Sequence, residues 1–158
     1  MKYEWKDCTL GDIVTFQRGY DLPKSKMKYG PYPVIGSNGI IGYHNKFTTK
    51  SPSITIGRSG NVGNPFIFNG NSWSHNTTLF IKEYRNSDPV FIYYLLKTLK
   101  LDNFAEGSAV PTLNRNHIHS LWIKIPDKLY IQQKIGKFLV YLDEKIRINT
   151  QINDNLEA

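Results

Sequence analysis

A single cysteine, Cys8, is all the thiol chemistry this chain of 158 residues has. No intrachain disulfide can staple it, and a reducing compartment, the cytoplasm, is the expected location. The opening Met1-Lys2-Tyr3-Glu4-Trp5-Lys6-Asp7 lacks the apolar stretch of a secretory signal. No apolar run approaches the roughly 18 residues that a membrane-spanning helix requires, so no membrane partner is expected. Internal repeats and low-complexity tracts are absent. There is also no glycine-rich turn between a strand and a long helix to cradle a nucleotide-like cofactor. Gly57-Arg58-Ser59-Gly60-Asn61-Val62-Gly63 has the glycines of a phosphate loop but not its Gly-Lys-Ser/Thr ending.

With 40% hydrophobic and 13% aromatic residues the chain can bury a real core, and its length fits one domain plus an appendage better than two domains. The net charge is +7, and its location says more than its size. From Leu129 onward four basic residues (Lys134, Lys137, Lys145, Arg147) meet four acidic ones (Asp143, Glu144, Asp154, Glu157). The excess therefore lies before them. Residues 17 to 76 hold Arg18, Lys24, Lys26, Lys28, Lys46, Lys50 and Arg58 against Asp21 alone. Such a field attracts polyanions and speeds encounter with them. An ordinary soluble protein with a basic surface has it too, so charge leaves both readings open.

Between Thr9 and Ser74 short apolar pieces alternate with Gly, Asn, Ser and Pro clusters: Ile13-Val14-Thr15-Phe16, Pro33-Val34-Ile35, Ile40-Ile41-Gly42-Tyr43, Ser53-Ile54-Thr55-Ile56 and Phe66-Ile67-Phe68. This punctuation predicts a β-rich domain. Thr78-Leu79-Phe80-Ile81 reads as a further strand. Asp88-Pro89 predicts a cap and first helical position for a helix to about Lys100, with Phe91, Leu95 and Leu99 on one face. A turn-rich stretch from Glu106 to Pro111 leads to a short helix near Asn114 to His119 and a strand, Leu121-Trp122-Ile123-Lys124-Ile125, ended by Pro126. The expected class is α+β: a mostly β head, residues 1–128, followed by a long helix, residues 129–158.

In that helix, steps of four and three pick out Ile131, Ile135, Phe138, Leu142, Lys145, Asn149, Ile152 and Leu156. This is a coiled-coil seam of between three and four heptads, with Asn149 at an a position where a polar residue fixes register and partner number. The competing reading is an amphipathic helix packed on its own head. A helix of nearly 30 residues, about 45 Å long, outreaches such a head and calls for a partner.

Catalysis finds no clear address. Pro126-Asp127 followed by Asp143-Glu144-Lys145 matches the pattern of a Mg²⁺-dependent nuclease, but the helix carries the second element far from the first. Asn64-Pro65-Phe66 lacks the second proline of the amino-methyltransferase motif. His117 and His119, with His44, His75 and Cys8 elsewhere, fit no zinc spacing. No metal site is expected.

Residues 17 to 76 interleave basic, aromatic and short amide side chains: Arg18-Gly19-Tyr20, Ser37-Asn38-Gly39, Tyr43-His44-Asn45-Lys46, Arg58-Ser59-Gly60-Asn61 and Trp73-Ser74-His75-Asn76. Arg and Lys neutralise phosphate or bond guanine, Asn pairs with adenine, and Ser anchors phosphate oxygens. The expected DNA-contacting set comprises these residues with Lys24, Lys26, Lys28 and Arg115. For any one of them the alternative is a turn or core role, as for Trp73 and Tyr43.

The order of landmarks resembles the specificity subunits of type I restriction-modification systems across essentially the whole chain. They run from Trp5-Lys6-Asp7-Cys8-Thr9-Leu10-Gly11-Asp12-Ile13 through Gly19-Tyr20, Tyr32-Pro33-Val34-Ile35-Gly36-Ser37-Asn38-Gly39, Ile56-Gly57-Arg58-Ser59-Gly60 and Thr77-Thr78-Leu79. Gly107-Ser108-Ala109-Val110-Pro111-Thr112-Leu113-Asn114, Ile123-Lys124-Ile125-Pro126 and the long helix complete them. The resemblance implies a non-catalytic target-recognition domain for double-stranded DNA. Its partners would be a methyltransferase subunit, a restriction subunit and a second specificity half, in a homodimer through the helix, at a bipartite site. S-adenosylmethionine, ATP and Mg²⁺ would belong to the partner subunits, none to this chain. The chain departs from the family pattern in two ways. Gln132-Gln133 stands where a Glu-Gln pair is common, and one recognition domain with one helix stands where two of each are usual, implying a half-length subunit or a fragment. A recognition domain detached from a fused restriction-methyltransferase is the related alternative.

Overall fold

The computed structural model describes residues 4–107 and 109–156. Met1-Lys2-Tyr3, Ser108 of the turn-rich stretch and the closing Glu157-Ala158 lie outside the described residues. The architecture is α+β and mostly strands, as expected. In chain order, β1 (Trp5–Thr9) runs into a single helical turn, α1 (Leu10–Ile13), and then β2 (Val14–Arg18). A 3-10 turn at Lys24–Lys26 precedes β3 (Tyr32–Gly36), β4 (Gly39–His44), β5 (Ser53–Gly57), β6 (Pro65–Phe68), β7 (Trp73–Ser74) and β8 (Thr78–Tyr84). There follow α2 (Pro89–Thr98), a short pair β9 (Ala105–Glu106) and β10 (Thr112–Leu113), α3 (Arg115–His119), β11 (Trp122–Pro126) and the long α4 (Leu129–Leu156).

The principal sheet has the order β2-β8-β5-β6 and a second one β4-β3-β7. β5 is buried at all five positions: Ile54 and Ile56 enter the core, while Ser53 and Thr55 are buried on the opposite face of the strand. Ile54, Ile56, Leu79 and Ile81 of the sheet, Phe91, Ile92 and Leu96 of α2, and Ile118, Ile123 and Ile125 share one core. α2 starts as predicted: the Asp88 carboxylate accepts from the Phe91 amide at 2.8 Å and Pro89 takes the first position. Its buried stripe is wider than expected. Phe91, Ile92 and Leu96 are its buried residues, Leu95 and Leu99 flank them, and the helix stops at Thr98.

The two-residue strands β7, β9 and β10 were not anticipated, and two longer elements also differ from the sequence reading. Ile13, expected in a strand, closes α1, because the Asp12 carboxylate accepts from the Thr9 amide at 2.7 Å and the Thr9 hydroxyl at 2.8 Å and winds the turn. β1 was not anticipated. It pairs only with β11, Trp5 opposite Pro126 and Thr9 opposite Trp122, a partner more than a hundred residues away that local pattern does not reveal.

α4 is fastened to the head by its first turns. The Gln132 side chain is buried and bonds at both ends: Oε1 accepts from the Asp88 amide at 3.0 Å and Nε2 donates to the Pro126 carbonyl at 3.0 Å. One residue thus joins the N-terminus of α2, the end of β11 and the start of α4. At Gly136 the two helices approach so closely that an added Cβ would lie 3.1 Å from the Phe91 nitrogen and 3.2 Å from Asp88 Oδ1. Further along, the Tyr94 hydroxyl donates to Asp143 at 2.8 Å.

Where the β2–β8 register shifts between Thr15 and Phe16, the Phe16 amide donates to His119 Nε2 at 2.9 Å, and the two rings stack. The imidazole must be neutral to accept. Burial, then the Arg115 and Arg85 cations, hold its pKa below the ordinary 6.5. The unfolded chain therefore binds this proton more tightly. Stability should fall as pH drops below about 6.5 until the folded ring itself titrates, with His75, shifted the same way mainly by burial, adding to the slope. Denaturant melts between pH 7.5 and 5 check this, and His119→Gln should flatten part of the slope. Gln132→Ala, which orphans the Asp88 amide and the Pro126 carbonyl, should cost about 1–3 kcal/mol in the same assay.

Candidate nucleic-acid interface

Nine of the nineteen anticipated contact residues line two clefts. The first, about 400 Å³, is lined by Arg18, Arg58, Arg115, Thr112 and Asn114 with Leu79 and Leu113 beneath and Glu106 at its edge. Arg18 ends β2, and Arg58 follows directly on β5. A glycine adjoins each: a side chain at Gly19 would collide with the His75 carbonyl and one at Gly57 with the Asn61 carbonyl. Backbone can pass there only without a Cβ.

Thr77 organises this region. Its carbonyl accepts from the amides of Arg58 (2.8 Å) and Ser59 (3.2 Å). Its hydroxyl accepts from the Ser37 amide at 3.2 Å and is paired with His75 Nδ1 at 3.1 Å. Three of the turns singled out in the sequence therefore meet at one residue. Burial, and then the neighbouring Arg18 cation, lower the Arg58 pKa, yet a guanidinium stays charged at any physiological pH.

The second cleft, about 500 Å³, is lined by Ser25, Lys26, Lys28, Asn45 and Lys46 with His44 and Trp73. An aromatic ridge leads from it toward the first. The Trp73 and Tyr20 rings lie 6.2 Å apart, the His44 and Trp73 rings 5.1 Å apart, and the indole N–H donates to the Tyr20 carbonyl at 3.3 Å. Tyr20 bridges to His75. Lys24, Asn38 and Tyr43 are exposed outside the lining of both clefts, and Asn61 lines a third one with Lys97 and Lys100.

One of the anticipated residues is corrected by burial, and a second is largely buried. Ser74 is fully buried, its hydroxyl 2.6 Å from that of Thr49 and its amide bonded to Thr48. His44 is 6% exposed, and its Nδ1 accepts from the Lys28 amide at 3.0 Å. The Ser74 side chain is sealed from any ligand, whereas His44 holds its loop in place and also lines the second cleft. Asn76 is tied to Asp21 at 2.8 Å, and Asn61 accepts from Asn64. The sequence reading missed Thr112, Asn114 and Glu106, which reach the first cleft only because the Leu113 amide bonds the Arg58 carbonyl at 2.8 Å and Ser59 bridges Thr112. Thr77 was noted only as a landmark, since a hydroxyl hub leaves no periodic signature.

The nuclease-like acidic elements are apart and otherwise engaged. Fourteen residues of helix, about 21 Å by helical rise, separate Leu129 from Asp143. Asp127 pairs with Lys128 at 3.0 Å, Asp143 with Tyr94 and Lys97, and Glu144 with Arg147. Among the described residues no group of three or more His, Cys, Asp or Glu is placed to hold a metal ion. No helix among them is long and apolar enough to cross a membrane.

The family model described as the type I restriction modification DNA specificity domain matches residues 2–158. The chain belongs to the type I restriction-modification DNA specificity family. The specificity subunit of the type I restriction enzyme HindI from Haemophilus influenzae is 36% identical over 75 residues, 44% of this chain and 16% of that protein. Among solved structures, the S subunit of a type I system from M. genitalium superposes with a TM-score of 0.78 at 20% identity, over 92% of this chain and 40% of that one. A chain from work on complex assembly and conformational transition of the type I R-M system gives 0.77 at 14% identity, over 98% of this chain and 42% of that one. The HsdS subunit of Thermoanaerobacter tengcongensis gives 0.67 at 14%, over 91% and 38%. At these identities the structural likeness establishes the fold, and this specificity-domain chain spans well under half the length of each solved relative.

Thr77→Val keeps the shape of the hub and removes its hydroxyl, leaving the Ser37 amide unpaired. The expected result is a stability loss of about 1 kcal/mol and faster hydrogen exchange at the Ser37 amide, read by denaturant melts and NMR.

Proposed function

We propose that this chain is the DNA-reading component of a type I restriction-modification assembly and performs no catalysis itself. Residues 1–128 would bind double-stranded DNA. Residues 129–158 would join a second specificity half and dock the methyltransferase subunit. A restriction subunit, with S-adenosylmethionine, ATP and Mg²⁺, would complete the machinery from outside this chain, in the cytoplasm. The observation that carries this reading is the pair of basic clefts joined by an aromatic ridge, poor in carboxylates, on a chain of the specificity family.

The long helix supports the pairing half of the proposal. Its head-facing side is Gln132, Gly136 and Asp143, with Ile131 and Ile135 partly buried. The later seam residues are open: Phe138 is 59% exposed, Ile152 50% and Leu156 79%. By helical geometry the seam lies about a third of a turn around the axis from the head-facing side. The two rival readings of the helix are thus divided along its length, with packing on the head at its start and an unpartnered apolar stripe beyond. Antiparallel pairing of two copies by a two-fold axis would set identical heads at opposite ends, and the DNA site would be an interrupted palindrome.

The test has two parts. Purified protein mixed with labelled duplex should bind with an affinity that falls steeply with salt, and should leave plasmid intact in Mg²⁺. Plasmid cleavage by the isolated chain would overturn the non-catalytic assignment. In sedimentation, the double change Leu142→Asp and Ile152→Asp should convert a dimer to a monomer without loss of helix signal. Ile135, being half-buried against the head, is the wrong residue for that experiment.

A further inference from the structure

β2 and β5 both run antiparallel to β8, on its two sides. They therefore run parallel to each other and finish at the same end of the sheet. Arg18 pairs with Leu79 and Gly57 with Thr78, so the two arginines leave the sheet about two strand spacings apart, roughly 9.5 Å. Arg115, at the start of α3, arrives from a third direction, because β10 is stitched to the chain just after β5 through Arg58 and Ser59. Among the described residues none of these three guanidinium groups has a carboxylate partner. Glu106 lines the same cleft and contacts His117 at 3.1 Å, so the lining sets three guanidinium groups against one carboxylate.

Three cations against one carboxylate around a cleft with an apolar floor leave a net positive charge there, and burial removes part of the water that would screen Arg58. A single bound anion relieves all three at once. A guanine edge offers two neutral acceptors and needs one guanidinium fork. A phosphodiester offers a negative charge and two free oxygens that several forks can share. The charge count and the concave shape favour the second.

We propose that Arg18, Arg58 and Arg115 clamp one backbone phosphate of the bound DNA, with Arg58 deepest, so that this cleft sets the register of the head on the duplex and reads no base. The proposal rests on the DNA-reading function above and specifies which chemistry these residues contribute to it.

The experiment compares the wild-type chain with Arg58→Ala, Arg18→Ala and Arg115→Ala, the last two at exposed positions that leave the fold undisturbed. Each is used to select from a randomised duplex pool, and each is titrated with duplex across a salt series. The clamp predicts an affinity loss on the order of tenfold on every sequence, a shallower salt dependence by about 0.9 in the log–log slope, and an unchanged selected sequence. Arg58→Lys should recover only part of the loss, since it keeps the charge and loses the fork. Selection that becomes indifferent at one base position would make the residue a base reader and overturn the proposal. An unchanged slope with unchanged affinity would overturn it too, while leaving DNA binding by the head intact. NMR of the arginine side chains during titration with inorganic phosphate provides the independent arm. Shifts at Arg58 and Arg115 support an anion cleft even if the chain binds no duplex, in which case the DNA-reading function falls and the anion site stands; no shift at either removes the cleft.

Discussion

Strand β8 is the constraint on which the candidate site depends. Among the described residues it is the only strand hydrogen-bonded to both β2 and β5, and its first four residues are buried. Because pairing on both sides is antiparallel, the C-terminal ends of β2 and β5 have to emerge together. The turn entering β8 carries Thr77, whose carbonyl and hydroxyl hold the loops after β3 and β5. Position along β8 therefore determines where Arg18, Arg58 and Ser37 sit. A slip of one residue in this strand would put Thr78 and Phe80 where Leu79 and Ile81 now enter the core, so the core that stabilises the sheet also aligns the basic groups.

The junction of head and helix is a second rigid point, built from different chemistry. Apolar packing alone would let α4 slide or roll against α2. Gln132 prevents this, since both ends of its amide are satisfied only in one orientation, and Gly136 lets the backbones come close enough to hold it. A buried polar group with every bond made specifies geometry in a way that interchangeable methyl contacts do not. For a chain proposed to set the distance between two reading heads this matters, because a small angular error at the first turn grows over a helix of 28 residues, about 42 Å. The fastening and the apolar seam lie on different sides of the helix, so neither has to be given up for the other.

Most of the fold was legible wherever structure is locally encoded. The strands around Pro33, Ile40, Ile54 and Phe66 and the capped start of α2 follow from alternating apolar pieces, turn residues and an Asp-Pro pair. β1 was not legible, because its pairing with β11 joins opposite ends of the head, and its Trp5, Lys6 and Asp7 are exposed. The site was legible as a class of residues and not as a list. Composition places basic and amide residues in the right segment, but whether a serine or histidine faces outward is set by strand parity and tertiary bonds. Ser74 and Trp73 are neighbours with opposite fates: one is sealed beside Thr49, the other forms the wall of a cleft. Thr112 and Asn114 come from a hairpin far along the chain, beyond any local pattern.

The way charge is distributed follows from the same economy of structure. Collecting Arg18, Arg58 and Arg115 around a cleft with one carboxylate destabilises the folded head, and a buried ionic network to neutralise them would cost desolvation of its own. The chain instead puts these cations at the margin of a sheet in which an interior strand, β5, is completely enclosed. Partial exposure keeps the penalty moderate, and the apolar core beneath can absorb it. If carboxylates were supplied locally, the head would gain stability and lose attraction for an anion, since the incoming ligand would have to displace an existing partner. Glu106 marks that boundary: it reaches the edge of the cleft, but its carboxylate is engaged by His117. The unpaired arginines are thus best understood as interactions left incomplete in the free chain, to be completed by a negatively charged ligand.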